Sequence, residues 1–273
     1  MQTDKLNNDE MYFEVIGFEQ SSAMQIISQY AKDYSVLLKL ANSLPLHHTS
    51  MQGDCKNLEQ QDNLGKSILP TILSQEYGII AQGSTHDLAA FFKILESLFA
   101  DRLVKGDIAT FTLKKLQQHN YKLCVAESCT GGTLSAMITA ISGASSVFKG
   151  GITTYSIESK QQILGIKDSI FKEHSVYSEA CVSAMARGAI DLFQADIAIA
   201  TSGLATHDDS PDNFLHLPAG TVFTCVLVRD RMPINIVHNY LSHTNIESKD
   251  SRIFVQKMAS LQALRLLLST LAN

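Results

Sequence analysis

The sequence has little positive charge to offer to a polyanion. It contains 22 Lys and Arg residues against 27 Asp and Glu residues, a formal net charge of −5, and no strongly basic stretch. Since Lys and Arg contacts to phosphates dominate nucleic-acid binding, we expect no nucleic-acid partner.

Long apolar runs are also missing. No run reaches the length needed to span a bilayer, so we expect no membrane partner. The stretch from Met1 to Glu10 is polar and partly acidic, unlike a secretory signal, and we expect it to be a frayed tail. Together these absences predict a cytoplasmic protein.

Cysteine is scarce and scattered. The five thiols lack the paired spacing of a zinc site, and they stand at Cys55, Cys124, Cys129, Cys181 and Cys225. Reduced thiols in a cytoplasmic protein fit this usage best. Metal binding by His47, His48 and Cys55 is conceivable, but no second ligand cluster supports it, and the pattern favours a solvated loop. We therefore expect no metal and no cofactor.

What the chain does have is enough apolar material for a packed core. Hydrophobic residues make up 45% and charged residues 18% of the 273 residues, a length that suits one large or two modest domains. A change of texture near residue 105 divides the chain into an N-terminal region, 1–105, and a second domain, 106–273. Glycine becomes denser in the second part, and strands begin to alternate with helices.

The N-terminal region shows no residues that suggest chemistry. Its pattern predicts a strand at Tyr12–Phe18, a helix at Ser21–Leu44 that Pro45 ends, and a second helix at His86–Val104 with a wide apolar face. Residues 52–65 are polar and charged. A further helix, Ile108–His119, opens the second domain.

The second domain has an alternating pattern of strands and helices. The predicted strands are Leu123–Ala126, Gly151–Tyr155, Asp196–Thr201, Thr221–Val228 and Ile234–Asn239; the predicted helices are Gly132–Ile141, Glu158–Leu164, Ser178–Phe193 and Asp250–Leu271. Such alternation predicts a layered α/β domain with its site at the carboxyl ends of strands. Three strand exits carry hydroxyls, at Ser128, at Tyr155 with Ser156, and at Thr201 with Ser202.

The stretch Ala126–Gly132, AESCTGG, is the centre of this pattern. It joins a strand to a helix through a tight turn of small residues. Free backbone amides at a helix start attract anions, and Gly131 and Gly132 let a ligand come close to the backbone. Ser128 then either caps the helix or acts as a nucleophile, and capping is the more common use of such a serine.

A nucleophilic serine needs a base to take its proton. No histidine has an obvious claim, because His174 and His207 both read as loop residues. Lys160 serves as a base if it is neutral, and burial or the positive end of a helix would favour that form. Tyr155 would relay a proton or orient the lysine. The alternative is that Lys160 is solvated and Tyr155 packs ordinarily.

Two segments resemble a known family. VAESCTGG at Val125–Gly132 and FKGGITTYS at Phe148–Ser156, followed by Lys160, look like the C-terminal domain of the competence-damage-inducible CinA family, which includes stand-alone nicotinamide mononucleotide deamidases. The resemblance runs over about residues 108 to 273, and further matches in register lie at His174, Val176, Ser178–Glu179, Ala195–Ala198, Ser202–Ala205 and Gly220–Val222.

The resemblance implies a fold and an activity. The fold is a three-layer α/β/α domain, and the reaction is that of an amidohydrolase in pyridine nucleotide salvage, which converts nicotinamide mononucleotide and water into nicotinic acid mononucleotide and ammonia. The nucleophile falls on Ser128, the tyrosine on Tyr155 and the base on Lys160, without a metal. Related domains self-associate, so we expect a homo-oligomer.

The resemblance also implies how the small-molecule nucleotide is held. Its phosphate and ribose would contact turn amides and hydroxyls, and an arginine comes from the C-terminal helix. The substrate-binding candidates are Thr130, Gly131, Gly132, Ser202, Gly203, Ala205 and Arg252.

Part of the expected pocket wall departs from the family pattern. A glycine-rich continuation is replaced by a longer acidic loop, 206–213, in which Asp208, Asp209 and Asp212 would repel a phosphate if they faced it. The second family arginine is Gln256 here. Two alternatives therefore stay open: a catalytically weakened or inactive nucleotide-binding or regulatory module, and an amidohydrolase that acts on a different small amide.

The N-terminal region resembles the family only faintly. Full-length CinA proteins begin with a molybdopterin-binding-like domain, and residues 1–105 leave no room for a complete copy of it. The stretch Phe13–Ser21 is similar to the start of the small linker domain that precedes the deamidase domain in those proteins. We therefore expect a small α+β linker-type domain.

Overall fold

The computed structural model describes residues 9–41, 78–242 and 248–272, with side chains from residue 251 in the last range. The chain divides into two compact units, residues 1–107 and residues 108–273. His47, His48, Cys55 and the polar stretch around them lie outside the described residues.

The first unit is a four-stranded antiparallel sheet with two helices. In chain order its elements are β1 (Asp9–Val15), α1 (Gln20–Asp33), β2 (Leu37–Leu40), β3 (Ile79–Gly83), α2 (Thr85–Phe99) and β4 (Leu103–Lys105). The strands lie in the order β2-β3-β1-β4, a split β-α-β arrangement. Its core is aromatic: Phe13 meets Phe91 and Phe92 edge to face, with ring centroids 6.5 and 5.3 Å apart.

Three sequence predictions in this unit are wrong at their ends. The helix predicted over Ser21–Leu44 stops at Asp33, because Ser35 takes a φ of 55° and Leu37–Leu40 then pairs with Ile79–Gly83. The helix predicted to reach Val104 ends at Phe99, after which Ala100 has a φ of 46°. Strand β1 begins at Asp9, inside the predicted tail, and ends before Phe18.

The second unit is a five-stranded mixed sheet covered by helices. Its strands are β5 (Leu123–Glu127), β6 (Phe148–Thr153), β7 (Ile197–Gly203), β8 (Thr221–Val228) and β9 (Ile234–Asn239); its helices are α3 (Ile108–Gln118), α4 (Thr133–Thr139), α5 (Ile157–Leu164), α6 (Asp168–His174), α7 (Glu179–Phe193) and α8 (Ser248–Leu271). The strands lie in the order β6-β5-β7-β8-β9, parallel from β6 to β7 and antiparallel from β7 to β9.

Successive side chains along each strand point to opposite faces of this sheet, and each face packs against a layer of helices. On one face Cys124, Ala126 and Ala200 lie in a core with α7, α5 and α6. The opposite face carries α8, which also packs against α3 and α4. Helix, sheet and helix layers confirm the predicted three-layer α/β/α domain.

Most elements of this domain lie where the sequence predicts them. Strands β8 and β9 match residue for residue, and Ser178 caps α7 by accepting a hydrogen bond from the Cys181 amide at 3.1 Å. Helix α6 is an addition, because its seven residues are too few to show a period, and it places His174 at a helix end rather than in a loop. In the described ranges, no helix has the length and apolar character needed to cross a bilayer.

Candidate active site

Ser128 stands where the central parallel strand β5 ends. That strand lies between β6 and β7, so its carboxyl end opens at the middle of the parallel part of the sheet. The Ser128 amide donates to the carbonyl of Thr201 on β7 at 3.0 Å, which extends the ladder one residue beyond the strand. The Ser128 side chain is therefore fixed at the sheet edge, and the residue is 7% exposed.

Glu127 occupies the start of the next helix. Its buried carboxylate accepts hydrogen bonds from the amides of Gly132 at 2.9 Å, Leu134 at 3.1 Å and Ser135 at 2.8 Å, and from the Ser135 hydroxyl at 2.6 Å. A protein carboxylate thus fills the anion site that the sequence suggested for a ligand. The expectation of free amides at this helix start is wrong.

The two glycines of the turn serve the backbone. Gly131 and Gly132 have φ values of 63° and 99°, which L side chains rarely adopt. A Cβ at Gly131 would also lie 3.0 Å from the Gln256 side-chain nitrogen. Gln256, which stands where the sequence comparison expects the second arginine, therefore packs against the turn that follows Ser128.

Lys160 brings a buried amine to Ser128. It lies on α5, a helix that Ser156 caps by accepting from the Ser159 amide at 3.1 Å. Its Nζ is 3.0 Å from Ser128 Oγ, 2.7 Å from the Thr154 carbonyl oxygen and 3.4 Å from the Tyr155 carbonyl oxygen. In all three contacts the amine is the donor. When the amine loses a proton, two N–H groups remain for the two carbonyls and its lone pair can accept the Ser128 hydroxyl.

Burial weakens the proton affinity of this amine. Lys160 is fully buried, and loss of hydration lowers its pKa below the ordinary 10.5. The nearby Cys181, Cys129 and Asp212 act in the opposite sense but do not reverse the shift. Among the described residues, no carboxylate forms an ion pair with Lys160.

The thiols beside this pair are not ionised at neutral pH. Burial raises the pKa of Cys129 to about 12 and that of Cys181 to about 11. A thiolate is the reactive form of cysteine. Cys129, although it neighbours Ser128 in the chain, is therefore the poorer candidate for a nucleophile.

Tyr155 contacts the site through two different groups. Its carbonyl faces Lys160, while its side chain is 63% exposed and its hydroxyl accepts a hydrogen bond from Arg252 at 3.3 Å. Arg252 also donates to the Thr206 hydroxyl at 2.7 Å. The tyrosine ring therefore belongs to an outer contact with Arg252 rather than to the Ser128–Lys160 pair.

A cavity of about 350 Å³ opens over the pair. Its lining includes Gly203 and Arg252 among the predicted substrate-binding residues, and it does not include Thr130, Gly131, Gly132, Ser202 and Ala205. The two hydroxyl-bearing residues outside the lining form hydrogen bonds within the domain. Thr130 Oγ1 lies 2.7 Å from Thr201 Oγ1, and the Ser202 hydroxyl donates to the Val176 carbonyl at 2.8 Å.

Sequence reasoning did not assign several cavity residues. These are Cys129, Ser156, Ile157, Glu158, Val176, Tyr177 and Asp212. Ile157 and Glu158 come directly after Tyr155 and Ser156 in the chain, so the hydroxyl-bearing strand exit at Tyr155 already marked this part of the cavity in the sequence. Val176 and Tyr177 precede α7, and Asp212 comes from the 206–213 loop, so only the folded chain reveals them.

Comparisons with known proteins agree with this architecture. A family model described as the CinA C-terminal domain matches residues 105–271. A Mycoplasma pneumoniae protein named MG115 homolog is 40% identical over 123 residues, which cover 45% of this chain and 76% of that protein. A CinA-like protein of Thermotoga neapolitana is 41% identical over 111 residues, 41% of this chain and only 26% of its own length.

Solved structures give the same result. The crystal structure of competence damage-inducible protein A (ComA) from Klebsiella pneumoniae superposes with a TM-score of 0.54 at 31% identity, over 61% of this chain and 96% of that one. A CinA superfamily protein from Escherichia coli has a TM-score of 0.52 at 26% identity, over 59% of this chain and 87% of that one. With a strand exit that carries Ser128, a helix that carries Lys160 and a family match over most of its length, the chain belongs to the CinA C-terminal domain family.

Proposed function

We propose that the protein is an amidohydrolase in which Ser128 is the nucleophile and Lys160 the general base. The observation that supports this proposal is the 3.0 Å separation of Lys160 Nζ and Ser128 Oγ in a buried setting, where no described carboxylate forms an ion pair with the amine. An amine that is held neutral next to a hydroxyl is the arrangement that activates a serine.

The first half of the reaction forms an acyl-enzyme. Neutral Lys160 takes the Ser128 proton while Oγ attacks the amide carbon, and the carbonyl electron pair moves onto oxygen. The tetrahedral intermediate collapses as the Lys160 ammonium passes its proton to the leaving nitrogen. Ammonia departs, and an ester to Ser128 remains.

The second half returns the enzyme to its starting state. Neutral Lys160 takes a proton from water, whose oxygen attacks the ester carbon. Collapse breaks the bond to Ser128 Oγ, which regains its proton from Lys160. The products are a carboxylic acid and free enzyme.

The Cys129 amide is the donor we assign to the developing oxyanion. In the turn, the amides of Ser128, Gly131 and Gly132 already donate to the Thr201 carbonyl, the Ser128 carbonyl and Glu127. Cys129 lines the cavity, and its amide donates to no oxygen of the described residues. An amide held in place beforehand stabilises the intermediate without reorganisation.

Nicotinamide mononucleotide is the substrate we propose, with nicotinic acid mononucleotide and ammonia as products. Arg252 at the cavity wall, with Tyr155 and Thr206 as its partners, supplies the cation for the phosphate. We also propose that the protein works as a cytoplasmic homo-oligomer. Titrating ammonia released from the nucleotide, with Ser128→Ala as the matched variant, tests the assignment: unchanged turnover in that variant would remove Ser128 from the mechanism.

A second candidate is hydrolysis of a different small amide. The observation that favours it is the presence of Glu158 and Asp212 in the cavity lining, since carboxylates disfavour a phosphate nearby. A panel of small amides in the same ammonia assay separates the two. Calorimetric binding of nucleotide without any ammonia would instead indicate a non-catalytic nucleotide-binding module.

A further inference from the structure

The acidic loop contributes one acidic residue to the lining of the reactive cavity. Asp212 lines it together with Lys160 and Arg252. The other two acids of the loop are not among the lining residues. Asp209 lies 2.8 Å from the His207 ring, and Asp208 has partners of its own.

Asp208 ties the loop to the domain. Its carboxylate accepts from the Tyr177 hydroxyl at 2.9 Å and from the Ser210 amide at 2.9 Å. The Asn213 side chain donates to the Asp208 carbonyl at 3.0 Å, and the Ser175 hydroxyl donates to the Asp212 carbonyl at 2.7 Å. The backbone around Asp212 is therefore fixed from both sides by groups other than its own side chain.

The Asp212 carboxylate itself is available. Asp212 is exposed, and its carboxylate makes no hydrogen bond or ion pair with the part of the chain that the structure describes, although its charge acts on the nearby Lys160 amine. Glu158, the other acid in the cavity lining, differs: hydrogen bonds from its own amide and from the Ser156 side chain lower its pKa, so the helix start holds it. Asp212 is thus the cavity carboxylate free to meet a ligand.

We propose that Asp212 determines specificity by selecting an amide whose reacting end carries a positive charge over an uncharged counterpart. The inference rests on the proposed amidohydrolase function. Asp212 also orients the ligand, because the anionic group of the ligand is attracted to Arg252 and repelled by Asp212. In a half-open cavity one such charge pair changes affinity by about 3- to 10-fold, and salt reduces the effect.

Two forms of one nucleotide provide the test. Nicotinamide mononucleotide has a cationic pyridinium ring, and its reduced dihydropyridine form has the same amide, ribose and phosphate without that charge. Calorimetry on a Ser128→Ala background gives the two dissociation constants without turnover. The ratio is then measured again with Asp212→Asn and with the control Asp209→Asn, which removes the same charge from the same loop outside the cavity.

The expected result is a preference for the cationic form that Asp212→Asn reduces by about 3- to 10-fold and Asp209→Asn leaves in place. Equal ratios in the two variants overturn the inference, and so does the absence of binding by either form. Ammonia assays on the Ser128-containing protein report separately. Selective binding without ammonia release supports the role of Asp212 and refutes hydrolysis. Ammonia release together with a dissociation-constant ratio that Asp212→Asn leaves unchanged supports hydrolysis and refutes the role of Asp212.

Discussion

Replacing Glu127 by glutamine tests whether the turn that follows Ser128 depends on the buried Glu127 carboxylate. In the wild type, one carboxylate oxygen accepts from Gly132 and Leu134, and the other accepts from the amide and hydroxyl of Ser135. A glutamine keeps the shape but has only one acceptor oxygen. Even in its better orientation, with its NH₂ donating to the Ser135 hydroxyl, it leaves the Ser135 amide without an acceptor.

The magnitude follows from these partners. A buried donor without an acceptor costs about 1–3 kcal/mol, and loss of the negative charge at the helix start adds roughly 0.3–2 kcal/mol. We therefore expect Glu127→Gln to lower the free energy of unfolding of the second unit by about 1–5 kcal/mol. Ser135→Ala removes one of the four donors and leaves the carboxylate, so about 1 kcal/mol is expected there.

Urea unfolding followed by circular dichroism measures both variants. The transition of the second unit has to be resolved from that of the first, and the slope m has to stay constant for the midpoints to be compared. A Glu127→Gln loss no larger than that of Ser135→Ala would refute the reasoning. It would mean that the four contacts do not need an ionised acceptor.

Three further predictions concern charge and the cavity. The rate of ammonia release should rise with pH as the Lys160 amine loses its proton, with a midpoint below the ordinary pKa of 10.5. A midpoint at or above 10.5 would contradict this. Lys160→Arg should lower the rate at least about 100-fold, because arginine stays protonated. The Cys124 thiol is held neutral by burial, which raises its pKa to about 12 from 9.0, while the unfolded thiol ionises above pH 9. Its contribution to stability is therefore present below pH 9 and falls by about 1.4 kcal/mol per pH unit above it, a slope that Cys124→Ala should reduce in alkaline unfolding curves. Arg252→Lys should raise KM for a phosphate-bearing amide by about 10-fold with little change in kcat, since lysine cannot contact Tyr155 and Thr206 together; an effect on kcat alone would place Arg252 in the chemical step.

Local pattern was enough to predict most of the second domain. Strands such as Thr221–Val228 are runs of apolar residues and threonine between turn residues, so their ends are visible in the sequence itself. In the first unit the same reasoning failed at Leu37–Leu40. Those residues have a helical texture, and their strand state depends on pairing with Ile79–Gly83, about forty residues away.

The site divides in the same way. Ser128 and Lys160 were chosen from a turn, a helix position and a family resemblance, and the structure brings them within hydrogen-bond distance. Their roles stay predictions until activity is measured. The sequence does not reveal the role of Glu127, because its partners appear only once α4 folds back on it. It names Asp212 only together with the other two acids of the loop, because a loop sequence does not show which of them lines the cavity.

Two buried ionisable groups, Glu127 and Lys160, lie next to Ser128, and their hydrogen-bond partners show why they differ. Glu127 receives four hydrogen-bond donors at a helix start, and these contacts let its carboxylate hold the turn. Lys160 meets two carbonyls, one hydroxyl and no carboxylate among the described residues, a setting that compensates only poorly for the hydration its cation loses. An ionisable group that the fold supplies with a full set of opposing partners serves structure. One that the fold buries without a counter-ion gives up its proton readily, and that property is what a general base requires.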